Sequence, residues 1–206
     1  MLDIILRRLG AHMLSFTLDT NCVIALEEGR SDASGVLALL NLHDSGLATV
    51  RLAATTGAET QQDGTAPPSF EIFRSRLRVL GLSHLCILKP IAIFDMAYWD
   101  WAVWAEESSV AELRQIHEVL FPSRPFDHDQ AVPDSLTGEQ KAKAERKWRN
   151  YRLDGLGLHT HIRAGADVYV TSDRNFRKQA KKAPLAQLGA PVILRPDEAE
   201  AYAASH

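Results

Sequence analysis

Two acidic residues directly follow apolar, β-prone runs at the points where strands are expected to end. Asp19 follows Phe-Thr-Leu, and Asp173 follows Val-Tyr-Val-Thr-Ser. Ligands of a parallel α/β sheet bind beyond the carboxyl ends of its strands, so neighbouring strands would bring these two carboxylates together. Two like charges at close range stay ionised only with a cation between them or with raised pKa values. Hard oxygen ligands in this arrangement suit Mg²⁺ or Mn²⁺.

Two further acids have suitable positions in the sequence. Glu59 follows a second strand candidate, LATVRLAATT, and Asp154 is placed at the start of the helix that leads into the Asp173 strand. Each acid also has an ordinary structural explanation, because the three aspartates could be helix caps and Glu59 a solvated surface residue. The four together predict a catalytic centre. Asp19 and Asp173 are expected to bind the metal directly, with Asp154 and Glu59 completing the shell directly or through water.

The elements that must position these acids alternate between strand and helix. Residues 14–18, LATVRLAATT, LCILKPIAIF, DVYVTSD and PVILRP are strand candidates, and helical patterns separate most of them. Thr20 or Asn21 is expected to cap the first helix. Apolar strands without polar alternation indicate a parallel sheet that is covered on both faces, a three-layer α/β/α fold. The length of 206 residues predicts a single domain, residues 1–206, with a helical insertion at about 83–150.

Composition is that of an ordinary globular chain, with 46% hydrophobic and 24% charged residues. The net charge of −3 argues against a generic coat for nucleic acids, although it is compatible with local basic patches. No apolar stretch approaches the roughly 18 uninterrupted residues of a membrane span. The N-terminal segment is a poor secretory signal, so a cytoplasmic protein without a membrane partner is expected. Cys22 and Cys86 lie in apolar surroundings and are expected to be buried, reduced thiols.

Two basic runs flank the acids along the chain. RNFRKQAKK follows Asp173 and includes Lys181 and Lys182, while KAKAERKWRNYR precedes Asp154 and offers Trp148 and Tyr151 for base stacking. For each run a solvated helix face is an equally good explanation. The residues predicted to contact nucleic acid are Arg174, Arg177, Lys178, Lys147, Arg149 and Arg152.

LDTNCVIAL, Glu59 after a small-residue strand, Asp154 ahead of LGLHTHIRAGA, and VYVTSDRNF together resemble the PIN-domain family of nucleases. The resemblance covers about residues 14–82 and 150–200. It implies a twisted parallel sheet with helices on both sides and a Mg²⁺- or Mn²⁺-dependent ribonuclease that hydrolyses RNA phosphodiester bonds. Many family members are VapC-type toxins, so the resemblance also implies a toxin–antitoxin pair and, as is common in the family, a homodimer.

The family pattern assigns roles to individual positions of this chain. Asp19, Glu59, Asp154 and Asp173 match its first to fourth acids, and the matched supporting positions are Asn21, Thr171, Ser172 and Asn175. The long, Trp-rich segment at 83–150 departs from the compact pattern of the family, which bears on the toxin assignment more than on the fold.

Two other functions compete with the nuclease. A haloacid-dehalogenase-like phosphohydrolase also has an aspartate at a strand end, but it needs a second aspartate two residues later, where this chain has Asn21. A catalytically silent PIN-like module would bind RNA or protein without cutting. His159 and His161 follow Asp154 along the helix, and a structural role is favoured over a site role for both. Asp127, His128 and Asp129 are expected to form a solvated loop.

Overall fold

The computed structural model describes residues 12–57, 69–93, 96–97 and 101–206. Within these ranges, five strands form one sheet in which every neighbouring pair is parallel. The strands are β1 (Ser15–Leu18), β2 (Thr49–Ala53), β3 (Cys86–Leu88), β4 (Val168–Val170) and β5 (Val192–Leu194). Their order across the sheet is β3-β2-β1-β4-β5. The sheet places β1 and β4, the strands that lead to Asp19 and Asp173, side by side at its centre.

Eight α-helices of the described residues surround the sheet. They are α1 (Thr20–Glu28), α2 (Ala33–Asp44), α3 (Phe70–Val79), α4 (Glu107–Leu120), α5 (His128–Ala131), α6 (Gly138–Arg163), α7 (Gln179–Gln187) and α8 (Pro196–Ser205). None of them has the length and apolar character that crossing a membrane requires.

Alternate side chains of the central strands enter two separate cores. Phe16, Leu18 and Val170 lie in a core shared with α1, α2, α3 and α8. Tyr169 lies in a second core with Leu158 of α6 and with residues of α4 and α7. Successive side chains of a strand point to opposite faces of its sheet, so the two cores are the two covered faces. This arrangement confirms the three-layer α/β/α fold and the buried parallel sheet expected from the apolar strands.

Strand register brings the ends of β1 and β4 level. Leu18 is paired with Val170, and the backbone N–H of Asp19 donates to the carbonyl oxygen of Val170 at 3.0 Å. Asp19 and Thr171 therefore leave the sheet at the same height, and Asp173 follows two residues later.

Helix α6 differs from the prediction that a new helix starts at Asp154. One continuous helix runs from Gly138 to Arg163, so Asp154 lies in its interior and is not an N-cap. No proline interrupts this stretch, and its glycines are tolerated inside the helix where they allow close packing. A Cβ at Gly157 would lie 3.1 Å from the hydroxyl of Tyr169, so the helix approaches β4 closely at that residue.

Three further expectations are corrected by the structure. The helix of the basic run after Asp173 begins at Gln179, so Arg174 to Lys178 precede it. In the described part of the Trp-rich segment, regular helix begins only at Glu107. Cys86 is exposed on β3, the last strand at one side of the sheet, whereas Cys22 is buried as expected.

Candidate functional site

Asp19 is held in place by hydrogen bonds to both carboxylate oxygens. It is the N-cap of α1, in place of the expected Thr20 or Asn21, and its Oδ1 accepts from the Thr20 N–H at 2.8 Å. Its Oδ2 accepts from the Thr171 hydroxyl at 2.6 Å and from the Asn21 side-chain amide at 3.1 Å. The capping explanation and the site explanation of Asp19 are therefore compatible, because one carboxylate caps the helix and faces the neighbouring strand end.

Burial raises the pKa of Asp19 above its ordinary value. Hydrogen bonds from Thr171, Thr20 and Tyr169 act in the opposite direction, and repulsion from Asp173 adds to the rise. The result is a buried carboxyl whose charged form is disfavoured despite its donors.

Asp173 is joined to Asp19 through one hydroxyl group. The Thr171 Oγ1 that donates to Asp19 also accepts from the backbone N–H of Asp173 at 3.1 Å. Asp173 Oδ1 accepts in turn from the backbone N–H of Asn175 at 2.7 Å, which is a local turn that fixes the carboxylate. The predicted meeting of residues 19 and 173 at the edge of the sheet is confirmed.

Asp154 completes the acidic group from the side of α6. It is half-buried, and among the described residues its carboxylate has neither a hydrogen bond nor an ion pair. Burial and the charges of Asp19 and Asp173 together raise its pKa well above the ordinary value. Asp154 is therefore a carboxylate in repulsive surroundings with no compensating donor from the described chain.

The predicted second acid, Glu59, lies outside the described residues. Across the described ranges, no group of three or more Asp, Glu, His or Cys side chains forms a ready metal site. The three aspartates repel one another electrostatically without being gathered into one tight cage. Mg²⁺ usually keeps several waters and is bound through one or two carboxylates, so a looser arrangement of acids is compatible with a hydrated ion.

An open cleft of about 500 Å³ lies over this edge of the sheet. Sequence reasoning missed Arg30 and Asn150 among its residues. Asn150 lies four residues before Asp154 on α6, so helical spacing could have indicated it, whereas Arg30 had no comparable signal. The cleft is lined by Asn21, Arg30, Asn150, Asp154, Ser172, Asp173 and Arg174.

Ser172 and Asn175 have structural bonds of their own. The Ser172 hydroxyl donates to Asp32 Oδ2 at 2.5 Å, and Arg195 donates to the other oxygen of Asp32 at 2.7 Å. The Asn175 amide donates to the Leu120 carbonyl at 3.0 Å. These two residues fix the segment after β4 by contacts with other elements, and neither is bonded to Asp19.

Lys181 is a buried cation beside the same segment. Only 9% of its surface is exposed. Its Nζ donates to Asn175 Oδ1 at 2.6 Å and also to the carbonyl of Leu120 at the end of α4. Burial lowers the pKa of Lys181, and Asp173 opposes that effect. The lysine therefore connects α7, α4 and the segment that carries Asp173.

Some of the residues predicted to contact nucleic acid are exposed, and others are half-buried or close to an acidic side chain. Lys147, Arg174 and Lys178 are exposed, while Arg149 is half-buried and Arg177 lies 3.8 Å from Glu198.

Arg152 is only 7% exposed and its guanidinium lies 3.6 Å from the centre of the Phe126 ring, which contradicts the predicted phosphate contact. Burial, together with the charge of Arg114, lowers the pKa of Arg152 to about 10.

The two aromatic residues proposed for base stacking are also engaged within the chain. The Trp148 Nε1–H donates to the carbonyl of Phe126 at 2.9 Å, and the Tyr151 ring packs on Phe121 with centroids 4.5 Å apart. Both residues are half-buried, and the helix that carries them packs on α4 and α5.

The two histidines after Asp154 have the structural role that was favoured. His161 is fully buried, and its Nδ1 lies 3.0 Å from the Thr17 hydroxyl below the sheet edge. Burial lowers the pKa of His161 to about 4, so the ring is neutral at physiological pH. His159 is buried too and lies 3.2 Å from Glu112 of α4. Neither is among the residues described as lining the cleft.

The sequence matches no protein-family model, and it matches no curated protein. The likeness to PIN-domain nucleases therefore depends on the quoted motifs alone.

Proposed function

We propose that this protein is a Mg²⁺- or Mn²⁺-dependent endoribonuclease that hydrolyses RNA phosphodiester bonds. One observation carries the proposal: Asp19, Asp154 and Asp173 repel one another at the carboxyl edge of a parallel sheet, where Asp154 and Asp173 line an open cleft. Asp154 and Asp19 both have raised pKa values there, which is typical of residues placed for chemistry or ion binding.

The donor set fits a hydrated divalent cation. Asp154 has no partner among the described residues, so its oxygens can coordinate a metal ion or accept hydrogen bonds from the water around it. Asp19 and Asp173 would hold the ion from the strand side. A bound divalent ion lowers the pKa of a coordinated water and offsets the charge that develops on phosphoryl oxygens.

The chain's own residues prepare this edge in three ways. The Thr171 hydroxyl and the Asn21 amide keep Asp19 Oδ2 in a fixed orientation. The Asn175 N–H does the same for Asp173 Oδ1. Burial and the charges of Asp19 and Asp173 raise the pKa of Asp154, so its carboxyl holds a proton beside the cleft more readily than an exposed aspartate does.

The direct test is cleavage of a labelled single-stranded RNA, with Mg²⁺ or Mn²⁺ and with EDTA. We expect cleavage only with the metal, and a loss of about a hundredfold or more in Asp154→Asn. Asp134→Asn is the matched control, because Asp134 is exposed and lies outside the described cleft lining. Full activity in Asp154→Asn, or equal activity in EDTA, would refute the proposal.

Two companion assays, of phosphate-monoester hydrolysis and of RNA binding, separate the competing functions. Hydrolysis of a small phosphate monoester without RNA cleavage would favour a haloacid-dehalogenase-like phosphohydrolase, although Asn21 donates to Asp19 and cannot serve as that reaction's second acid. RNA binding without cleavage in any metal would favour a silent binding module. The antitoxin partner, the homodimer and the cytoplasmic location remain predictions that follow from the same proposal.

A further inference from the structure

The described lining of the cleft is entirely polar. Its seven residues are acids, amides, a hydroxyl and two arginines, with no aromatic or aliphatic side chain among them. Proteins that bind single strands through their bases use exposed aromatic rings as stacking platforms. No such ring is among the described residues that line this cleft. Trp148 and Tyr151 instead contact Phe126 and Phe121.

Arg30 reaches the cleft from the end of α1. Gly29 ends that helix in the left-handed conformation, with φ of 61°, and the Arg30 N–H then donates to the Ala25 carbonyl at 2.9 Å. The guanidinium is held on one side only, since its Nε and Nη2 both lie 2.7 Å from Glu28 Oε2. Within the described chain its Nη1 has no hydrogen-bond acceptor, so part of the donor fork is free for a ligand.

Arg174 reaches the same cleft from the segment that follows β4. It directly follows Asp173, is exposed, and forms no ion pair or hydrogen bond with any described residue. Asn150 is exposed on α6 nearby and its amide is also unbonded within the described ranges. Cationic donors on two different elements therefore border an acidic centre. Arginine favours phosphate because its planar fork fits two phosphate oxygens.

We propose that Arg30 and Arg174 bind backbone phosphates in the cleft that the acidic residues Asp154 and Asp173 also line. The cleft then recognises the sugar–phosphate backbone of a single strand and discriminates little between bases. This inference rests on the proposed function, because it takes RNA as the substrate of the same cleft. Phosphate contacts position a nucleic acid without carrying sequence information, whereas base contacts provide specificity.

The test is equilibrium binding of labelled oligouridylate and oligoadenylate of equal length, in EDTA so that cleavage is prevented. We expect Arg30→Gln and Arg174→Gln each to weaken binding by roughly threefold to tenfold, equally for both oligonucleotides. Each substitution should also lower the slope of log Kd against log salt by about 0.7, the value for one lost contact with a single strand. Arg74→Gln is the matched control, since Arg74 is an exposed arginine paired with a nearby glutamate on α3.

Three results would overturn the inference: no binding by the unmodified protein, unchanged binding in both cleft variants, or a preference of more than about tenfold for one base. The last would indicate base contacts in the cleft. Failure of the proposed function is distinguishable, because it would leave the arginine-dependent, salt-sensitive binding intact while no metal ion supports cleavage.

Discussion

Two aspartates lie at opposite ends of the central strands and have opposite properties. Asp167 precedes β4 at the amino edge, where it accepts from the Ser15 N–H at 2.8 Å, the Ser15 hydroxyl at 2.6 Å and His12 at 2.8 Å. Burial alone would raise its pKa, but those donors outweigh burial and the pKa is lowered. Asp154, at the carboxyl edge, has no donor among the described residues, and its pKa is raised.

This contrast separates the acid that stabilises the fold from the acid that is available to a ligand. A carboxylate surrounded by donors gains from being charged in the folded protein, so its charge contributes to stability. Repulsion from neighbouring carboxylates disfavours the charged form of an acid, so its charge lowers the stability of the fold. Asp154 is also the more deeply buried of the two, so burial, neighbouring charges and the lack of donors act together on its pKa, whereas donors outweigh a weaker burial effect at Asp167.

Replacement of the amino-edge acid should have the largest effect on stability. Asp167→Asn removes the charge that accepts from Ser15, so we expect the free energy of unfolding to fall by about 2 kcal/mol. Urea denaturation at neutral pH in EDTA measures this. The exposed His12 contributes little, so His12→Ala is a control that should change stability only slightly. An Asp167→Asn variant as stable as the parent would remove the contrast between the two edges.

Loss of the buried lysine should be the next largest effect, because it leaves Asn175 Oδ1 without its donor next to the segment that carries Asp173. We expect Lys181→Met to lower the free energy of unfolding by about 1.5 kcal/mol, since Nζ donates to Asn175 and Leu120. Hydrogen exchange of the Asn175 backbone N–H, which donates to Asp173 Oδ1, should also become faster. Lys182→Met is the control, as Lys182 is exposed. Equal effects in the two variants would show that Lys181 does not hold the Asp173 segment.

Replacement of the carboxyl-edge acid should have a smaller effect of the opposite sign. In EDTA, Asp154→Asn removes a repelled charge, and we expect the free energy of unfolding to rise by about 1 kcal/mol. Saturating Mg²⁺ or Mn²⁺ should then stabilise the parent more than the variant, because only the parent keeps all three aspartates. A destabilised variant in EDTA would mean that Asp154 has a stabilising role which the described contacts do not show.

The pH dependence of stability should show the smallest effect, with a different sign at each edge. Asp154 has a folded pKa above its unfolded value, so the folded state binds more protons and stability falls as pH rises through that window. Asp167 has a lowered folded pKa, so its contribution is present above the ordinary value of 3.8 and is lost as pH falls through the folded pKa. Urea midpoints measured in EDTA from about pH 3 to about pH 8 should therefore decline less on the alkaline side in Asp154→Asn and less on the acid side in Asp167→Asn. Parallel curves for both variants would contradict these assignments.

Several features of the site were predictable because they depend on local sequence. The apolar runs before Asp19 and Asp173 indicate buried strands, and parallel strands present their following residues at one edge. The acid after each run was therefore predictable without coordinates. The position of Asp154 inside a continuous helix was not predictable. Asp is a good N-cap and a glycine follows Asp154, so the sequence favoured a helix start there. The contacts of Arg152, Trp148 and Tyr151 with other residues were not predictable either, because their partners are distant in sequence.

The class of fold and the two strand ends that carry acids follow from the sequence, since hydrophobic periodicity and turn residues act over a few positions. Packing of segments that are distant in sequence, by contrast, lets Thr171 bond both to Asp19 and to the Asp173 backbone, and brings Asp154 near them with no donor from the described part of the chain. It also decided that Arg30 borders the same cleft as Arg174. The physical reason is that hydrogen bonding, burial and repulsion depend on neighbours in space, and residues 19, 154 and 173 become neighbours only when the sheet and α6 pack together.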